Sequence, residues 1–440
     1  MKKIKKVVQA ALIIAILIAP SLLVAEDRDA FAATTTEQKI VYTQMDTIEG
    51  SENQFTADLV VMNKDGSGKV NITNTPDSHD LFPKWSPDGK RIAYIRGVDD
   101  NTTARIAIIE SDGANQVIAP DGYTSFLSWT KDSESLIYLT AEEANGTFSI
   151  KKFNLQSNES ILLGNFEFEE GRTVAVFDYN KEKNFVLVGD RPDYSEPTQS
   201  CKAYLIDLNG TLEKQLISDI NGRCNAMFSS PSGSKIMQSS LVDGSANVYI
   251  TNTETFEQDS YIGAGTLFEY NYKSPWSQSE EFILIGELQP SPGFGFIGMK
   301  LLNVADGSIR KDVSIAGTRN IPWGQMIDND TNILIDVVNE GFDGNSPDST
   351  YIGIYNIESG QIVNLTGGDE YAEFYSDISS TTSTDNPELP FVDPATIIPP
   401  KTGLSVGVVS ALVGTLSTLS LVGYGSARKI SKRSFSGSER

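Results

Sequence analysis

The chain carries 440 residues, 39% of them apolar, and a formal net charge of −23. That apolar content supports a large buried core, while so acidic a protein repels phosphate backbones and excludes nucleic acid as a partner. A single histidine, His79, leaves no multi-histidine metal site and argues against a Ser–His–Asp triad.

At the N-terminus a basic stretch, residues 1–6, precedes an uncharged apolar run over residues 7–25 and then Ala30-Phe31-Ala32. This order predicts a secretory signal peptide spanning residues 1–32, cut after Ala32. Its loss would remove five basic and three acidic residues and take the net charge to −25.

Beyond the leader, aromatic residues recur at strand ends: Trp85, Trp129, Phe177, Phe228, Trp276, Trp323 and Tyr375. Their near-constant spacing, about 40 to 50 residues, marks a repeat architecture. Each unit holds four short apolar runs, which predicts an all-β fold, a seven-bladed β-propeller of four-stranded antiparallel blades over residues 38–376. The clearest unit opens with Phe82-Pro83-Lys84-Trp85 and turns at Ser86-Pro87-Asp88-Gly89, a tetrapeptide suited to a type I turn. His79 is expected in the polar loop before this strand. Residues 92–95, 105–109 and 116–118 supply the other three strands, apolar enough to be covered on both faces. Hairpin turns recur at Asp65-Gly66, Asp112-Gly113, Asn209-Gly210, Asp306-Gly307 and Ser359-Gly360. The last unit offers one C-terminal strand, residues 372–376, so residues 39–43, 59–62 and 70–73 are expected to complete it and close the ring.

Residues 57–66 and the run from Pro83 to Tyr94 resemble the PD40 (WD40-like) repeats of the TolB-type propeller family. The resemblance covers roughly residues 38–376 and implies the fold. It implies little about activity, because one fold hosts many.

Cys201 and Cys224 are the two cysteines. In an exported chain they are expected to form one disulfide, Cys201 just before a third strand and Cys224 just before the next first strand. Closing that loop contributes roughly 3 kcal/mol in the chain-entropy account. Long connections between second and third strands, residues 44–56, 189–200, 287–295 and 339–350, fall on one face with the blade-to-blade loop 164–172. Long loops on a rigid scaffold are where binding resides. Tyr194, Phe166, Phe168, Phe294 and Phe342 are the candidate aromatic anchors of this face. Acidic loops at Asp328–Asn332 and Asp343–Asn345 offer oxygen ligands of the kind Ca²⁺ prefers, without the spacing of a known calcium loop. No cofactor, metal or catalytic residue is expected. Gly403-Leu404-Ser405-Val406-Gly407 sits away from any strand-to-helix elbow and is not a nucleophile motif.

Residues 377–398, rich in Ser, Thr, Pro and Asp, read as a solvated spacer. Residues 404–427 then form an uncharged run of transmembrane length. Arg428, Lys429, Lys432 and Arg433 open a basic tail, residues 428–440, expected in the cytoplasm. Between spacer and span stands Pro399-Pro400-Lys401-Thr402-Gly403. Pro400, Lys401, Thr402 and Gly403, with the span and tail, resemble the LPXTG-like cell-wall sorting signal of Gram-positive-type surface proteins. The resemblance implies cleavage by sortase between Thr402 and Gly403, although Pro399 stands where the usual motif has Leu. The expected protein is an exported, surface-anchored, monomeric propeller that binds a protein or a cell-envelope glycan without catalysis. The alternative is a glycoside-hydrolase-like enzyme using paired carboxylates of the loop face.

Overall fold

A computed structural model describes residues 38–47, 55–76, 78–98, 104–120, 124–142, 147–167, 172–192, 200–209, 214–242, 245–265, 273–288, 296–339, 350–367 and 372–379. Among them there is no helix. The leader, spacer, sorting-like motif and apolar C-terminal run lie outside the described residues.

The strands follow one another in small antiparallel groups. β1 (Lys39–Thr47), β2 (Phe55–Asn63) and β3 (Val70–Asn71) come first, then β4 (Ser78–Trp85), β5 (Arg91–Val98), β6 (Arg105–Glu110) and β7 (Val117–Ile118). β8 (Thr124–Trp129), β9 (Ser135–Glu142), β10 (Thr147–Asn154) and β11 (Glu159–Glu167) make the next sheet. β12 (Arg172–Asn180), β13 (Phe185–Pro192), β14 (Ser200–Asp207) and β15 (Lys214–Asn221) make another. β16 (Arg223–Ser229), β17 (Lys235–Val242), β18 (Ser245–Asn252) and β19 (Gln258–Tyr261) follow in the same order. β20 (Phe282–Leu288), β21 (Phe296–Asn303) and β22 (Ile309–Asp312) are joined by an isolated bridge from Trp276 to Ile283. β23 (Gly324–Ile327), β24 (Asn332–Val338), β25 (Thr350–Asn356) and β26 (Ile362–Asn364) precede the closing strand, β27 (Ala372–Ile378).

Closure occurs as the register of the repeat implies. β27 pairs antiparallel with β1, Thr43 opposite Phe374 and Ile40 opposite Ile378. β1 pairs with β2, and β2 with β3. Thus one C-terminal and three N-terminal strands share a sheet, which leaves no free edge at the seam. A single parallel pairing, Ala57 with His79, links that sheet onward to β4. Ser379 extends the seam: its N–H donates to Lys39 O and its Oγ accepts from Lys39 N–H, both at 2.9 Å.

Each core cluster is built from two consecutive sheets, because the strands are apolar on both faces. Ala93, Ile95 and Ile106 meet Trp129, Tyr138 and Phe153. Val186 and Val188 pack with Ile137, Ile150 and Phe166, while Val176, Leu187 and Ala203 pack with Met227 and Ile236. The pattern continues past the seam. Ile327, Leu334 and Ile352 pack against Ile40, Tyr42 and Met62, and Val41, Leu59 and Val61 meet Trp85, Ile92 and Tyr94. Sheets that share faces in sequence order and return to the first make a β-propeller.

The predicted turn is present. Gly89 N–H donates to Ser86 O at 2.9 Å with Gly89 at φ +69°, and Gly233 N–H donates to Ser230 O at 2.8 Å with φ +72°. Positive φ at the fourth position is why glycine stands there.

The structure corrects the register of the repeat. The first-strand position of Trp85, opposite Ile92, is held elsewhere by Trp129 opposite Leu136, Tyr179 opposite Val186, Ser229 opposite Ile236, Trp276 opposite Ile283, Met326 opposite Ile333 and Ile378 opposite Ile40. Phe177, Phe228, Trp323 and Tyr375 lie one to three residues earlier. The invariant partner is an aliphatic second-strand residue, and the aromatic bulk that fills the wedge comes from either neighbour. Several first strands also carry a β-bulge upstream of this position, at Leu81/Lys84, Thr124/Phe126, Val174/Val176 and Cys224/Ala226. A bulge bends and twists its strand, and no residue pattern announced it. His79 is a β4 residue, opposite Gly97, rather than a loop residue. The predicted spacer also begins too early, since Asp377 and Ile378 belong to β27.

Deletion of residues 38–43 should abolish the single cooperative thermal transition followed by circular dichroism, because it removes the strand that β2 and β27 share. Unchanged cooperative melting would contradict the closure.

Candidate functional site

The first strands of the sheets converge at the centre, where sheets far apart in sequence meet. Lys84 on β4 is half-buried and lies in the field of Asp178 on β12, two sheets onward, and of Asp377 on β27, one sheet back. Phe82 stacks on Tyr375 with ring centroids 4.2 Å apart, Phe126 on Phe177 at 5.9 Å, and Trp323 meets Phe374 edge-on at 6.2 Å. Each contact joins the inner edges of consecutive sheets.

Two carboxylates act as latches of identical design. Asp377 Oδ2 accepts the backbone N–H of Trp85 at 2.7 Å. Asp178 Oδ2 accepts the backbone N–H and the Oγ–H of Ser229 at 2.8 and 2.6 Å. In both, the residue just before the Trp85-equivalent position binds that position in the following sheet. Indole groups do the same in reverse. Trp129 Nε1–H donates to Lys84 O at 2.9 Å, and Trp276 Nε1–H donates to Phe228 O at 3.0 Å. Burial pushes both carboxyls up, opposed by these hydrogen bonds and by Lys84. Burial pushes the Lys84 ammonium down, opposed by Asp178 and Asp377.

A second cluster is more deeply buried. Lys273, only 4% exposed, donates from Nζ to Asp336 Oδ1 and to Ser376 Oγ, both at 2.7 Å. Ser376 also donates its Oγ–H to Asp336 Oδ1 and its backbone N–H to Asp336 Oδ2, the latter at 3.3 Å. Lys273 precedes the Trp276 bridge, Asp336 is on β24 and Ser376 on β27, so three consecutive sheets meet at one ammonium. Burial pushes the Asp336 carboxyl up to about 8, opposed by its hydrogen bonds to Ser376. Burial holds Lys273 well below the ordinary lysine range, opposed by Asp377.

Toward the other end of the first strands, Arg96 clamps Asp80 bidentately, Nε to Oδ1 and Nη2 to Oδ2, both at 2.7 Å. Arg172 Nη2 reaches Asp190 Oδ1 at 2.6 Å, and both aspartates are buried. These pairs hold first and second strands together within a sheet.

The residues singled out from sequence fare differently. Phe166 is a correction: it lies on β11, 6% exposed, packed with Ile137, Tyr179 and Val188. The strand continues to Glu167, beyond the loop boundary assumed at residue 164, so the ring faces the next sheet. Tyr194, Phe168, Phe294 and Phe342 lie outside the described residues. The strands flanking the long loops are longer than expected, so the intervening segments shrink to residues 48–54, 193–199, 289–295 and 340–349. Cys201 is disulfide-bonded and buried within β14 rather than before it. Gln238 on β17 donates to its Sγ at 2.7 Å, so Cys201 faces the sheet that contains Cys224 on β16. The side chain of Cys224 lies outside the described residues. Asp328 is engaged by Lys64 Nζ and by Asn332 Nδ2 at 2.8 Å, and Asp330 accepts Gln278 and Ser279 N–H at 2.6 and 2.8 Å. Their oxygens staple neighbouring sheets, and no group of three metal-ligating side chains is found among the described residues. Asp343–Asn345 lies outside them.

Sequence reasoning missed Lys84, Asp178, Lys273, Asp336 and Asp377. A signal existed: Asp336 is the lone charge in Asn-Ile-Leu-Ile-Asp-Val-Val, and Asp178 interrupts Val-Ala-Val-Phe-Asp-Tyr. A buried charge costs several kcal/mol unless partnered, so a lone one in an apolar strand implies a partner elsewhere.

No family model matches the chain, and no curated protein matches it in sequence. Solved structures do match. An oligogalacturonate lyase in complex with manganese aligns at TM-score 0.53 and 10% identity, over 73% of this chain and 92% of that one. Prolyl oligopeptidase B from Galerina marginata aligns at TM-score 0.50 and 12% identity, over 77% of this chain and 52% of that one. The chain thus spans about half the length of that enzyme. TolB from Acinetobacter baumannii aligns at TM-score 0.43 and 13% identity, over 78% of this chain and 82% of that one. At such identities the likeness shows the fold alone, a β-propeller.

Lys273→Met should strand Asp336 in the core. In the native fold this carboxyl is already pushed up to about 8, so folded native chain and variant alike hold a proton there that the unfolded chain has lost above about 3.8. The variant's deficit relative to the native chain should therefore open as pH rises past about 8, where the carboxyl ionises with no amine beside it, and reach about 3–5 kcal/mol. Urea denaturation at a series of pH values measures this, and a pH-independent deficit would contradict it.

Proposed function

We propose that this chain is an exported, surface-anchored propeller of seven blades, acting as a non-catalytic binding or scaffold module for a protein or cell-envelope glycan. The observation that carries the reading is the engagement of the central carboxylates. Asp178 and Asp377 accept backbone N–H groups of the following sheet, and Asp336 is held by Lys273 and Ser376. Groups that in a hydrolase would be left to donate and accept protons here fasten one sheet to the next. A rigid ring of this kind is suited to present variable segments.

Residues 193–199 and 340–349 are the segments we assign to recognition. β13 and β14 flank the first, β24 and β25 the second, each at the end opposite the Ser86–Gly89 turn. Tyr194 and Phe342 would supply aromatic anchors. The opposite end is occupied by links between sheets, such as Lys131 to Glu182 at 2.6 Å and Lys183 to Glu254 at 3.2 Å. Exported status would agree with the disulfide at Cys201, for which Cys224 is the partner we assign, since disulfides persist in oxidising compartments. Residues 1–32 would direct export. Residues 404–427 would hold the chain in the membrane, or residues 399–403 would let sortase pass it to the cell wall.

Replacing residues 193–199 and 340–349 together by short Gly-Ser links should lower retention of envelope glycan or protein by at least about tenfold, while leaving thermal melting unchanged. Release of reducing sugar ends from envelope glycan by the native chain would instead establish a hydrolase. Mass analysis of the mature product should find an end at Thr402. A product that retains Arg440 would keep the membrane anchor and eliminate sortase processing.

A further inference from the structure

We propose that Lys273 and Asp336 are a covalent modification site, where the folded chain forms an amide cross-link between the two side chains without an enzyme. Three features of the pair support the chemistry. Nζ and Oδ1 are 2.7 Å apart, with side chains 3% and 0% exposed, so the reactants are held in contact and away from water. Ser376 bridges them, accepting from Lys273 Nζ and donating to Asp336 Oδ1. Burial also favours the uncharged forms of both groups, a free amine and a protonated carboxyl, which are the forms that condense.

The step is a condensation. Lys273 Nζ attacks Asp336 Cγ, and a C–N bond forms. One C–O bond of the protonated carboxyl breaks, and its hydroxyl leaves as water with a proton from the amine. Ser376 Oγ is placed to pass that proton. Nothing is oxidised or reduced, and no co-reactant is required. In water the equilibrium would favour hydrolysis, but groups fixed in contact behave as if present at about 10⁵–10⁸ M. Exclusion of water from the product opposes the reverse reaction.

The two buried arginine–carboxylate pairs among the described residues cannot do this. Arg96 with Asp80 and Arg172 with Asp190 present guanidinium groups, which stay protonated and are not nucleophilic. Lys84 is less buried than Lys273. The link would join the segment before β20 to β24, two neighbouring sheets, beside the closing strand. It would make that part of the ring unable to open even when the rest of the chain unfolds.

The test is the mass of the folded, purified full-length chain, denatured and reduced before measurement. We expect it to be lighter than its linear composition by one water molecule, and proteolysis to yield a branched peptide joining the Lys273 and Asp336 segments. Lys273→Met should restore the full linear mass and remove the branched peptide. A native chain of full linear mass, digesting to separate linear peptides around both residues, would overturn the proposal whether or not the variant folds.

Discussion

The pairing of β27 with β1 is the constraint on which the propeller depends. Thr43 sits opposite Phe374 and Ile40 opposite Ile378, more than 330 residues apart in the chain. Without it, two of the shared cores would lose one wall: that of Ile40, Tyr42 and Met62, and that of Val41, Leu59 and Val61. Every other sheet can form from contiguous residues. This one requires the ends to meet, and loop-closure entropy opposes so long a loop. The seam is correspondingly reinforced by Ser379 on Lys39, by Asp377 on Trp85, and by Phe82 stacked on Tyr375.

Charge at the centre follows from the same geometry. First strands crowd together there as the inner edges of their sheets, so alternate backbone N–H groups face away from their own sheet, and those donors must be satisfied. Carboxylates from the preceding sheet do so at Trp85 and Ser229. Carboxyl groups so placed need partners, which Lys84 supplies between Asp178 and Asp377, and Lys273 and Ser376 supply at Asp336. Polar groups therefore fasten one sheet to the next, while aliphatic side chains supply most of the burial. A buried ion pair is a poor source of net stability, but removing one partner is strongly destabilising.

The connections between second and third strands leave from strand ends that the core already holds in place. The aromatic anchors divide along this line: Phe166, assigned to a loop, is a wall of the core, because β11 continues past Gly164 with a shift in register.

The amino-acid sequence alone determined the repeat, the four-stranded unit, the turns at Ser86–Gly89 and Ser230–Gly233, and the seam between first and last strands. All but the seam are local matters: short apolar runs at a fixed spacing, glycine where φ is positive, and proline where φ is preset; the seam follows from the strands left over in the first and last units. It could not determine the register of the aromatic positions, since Tyr179, Ser229 and Met326 occupy the place of Trp85 and neighbours supply the missing bulk. Nor could it show which charges meet, because Lys84, Asp178 and Asp377, or Lys273, Asp336 and Ser376, come together only when the ring is closed. Contacts of that range are selected by the packing of whole sheets, and no stretch of chain short enough to read as a motif contains them.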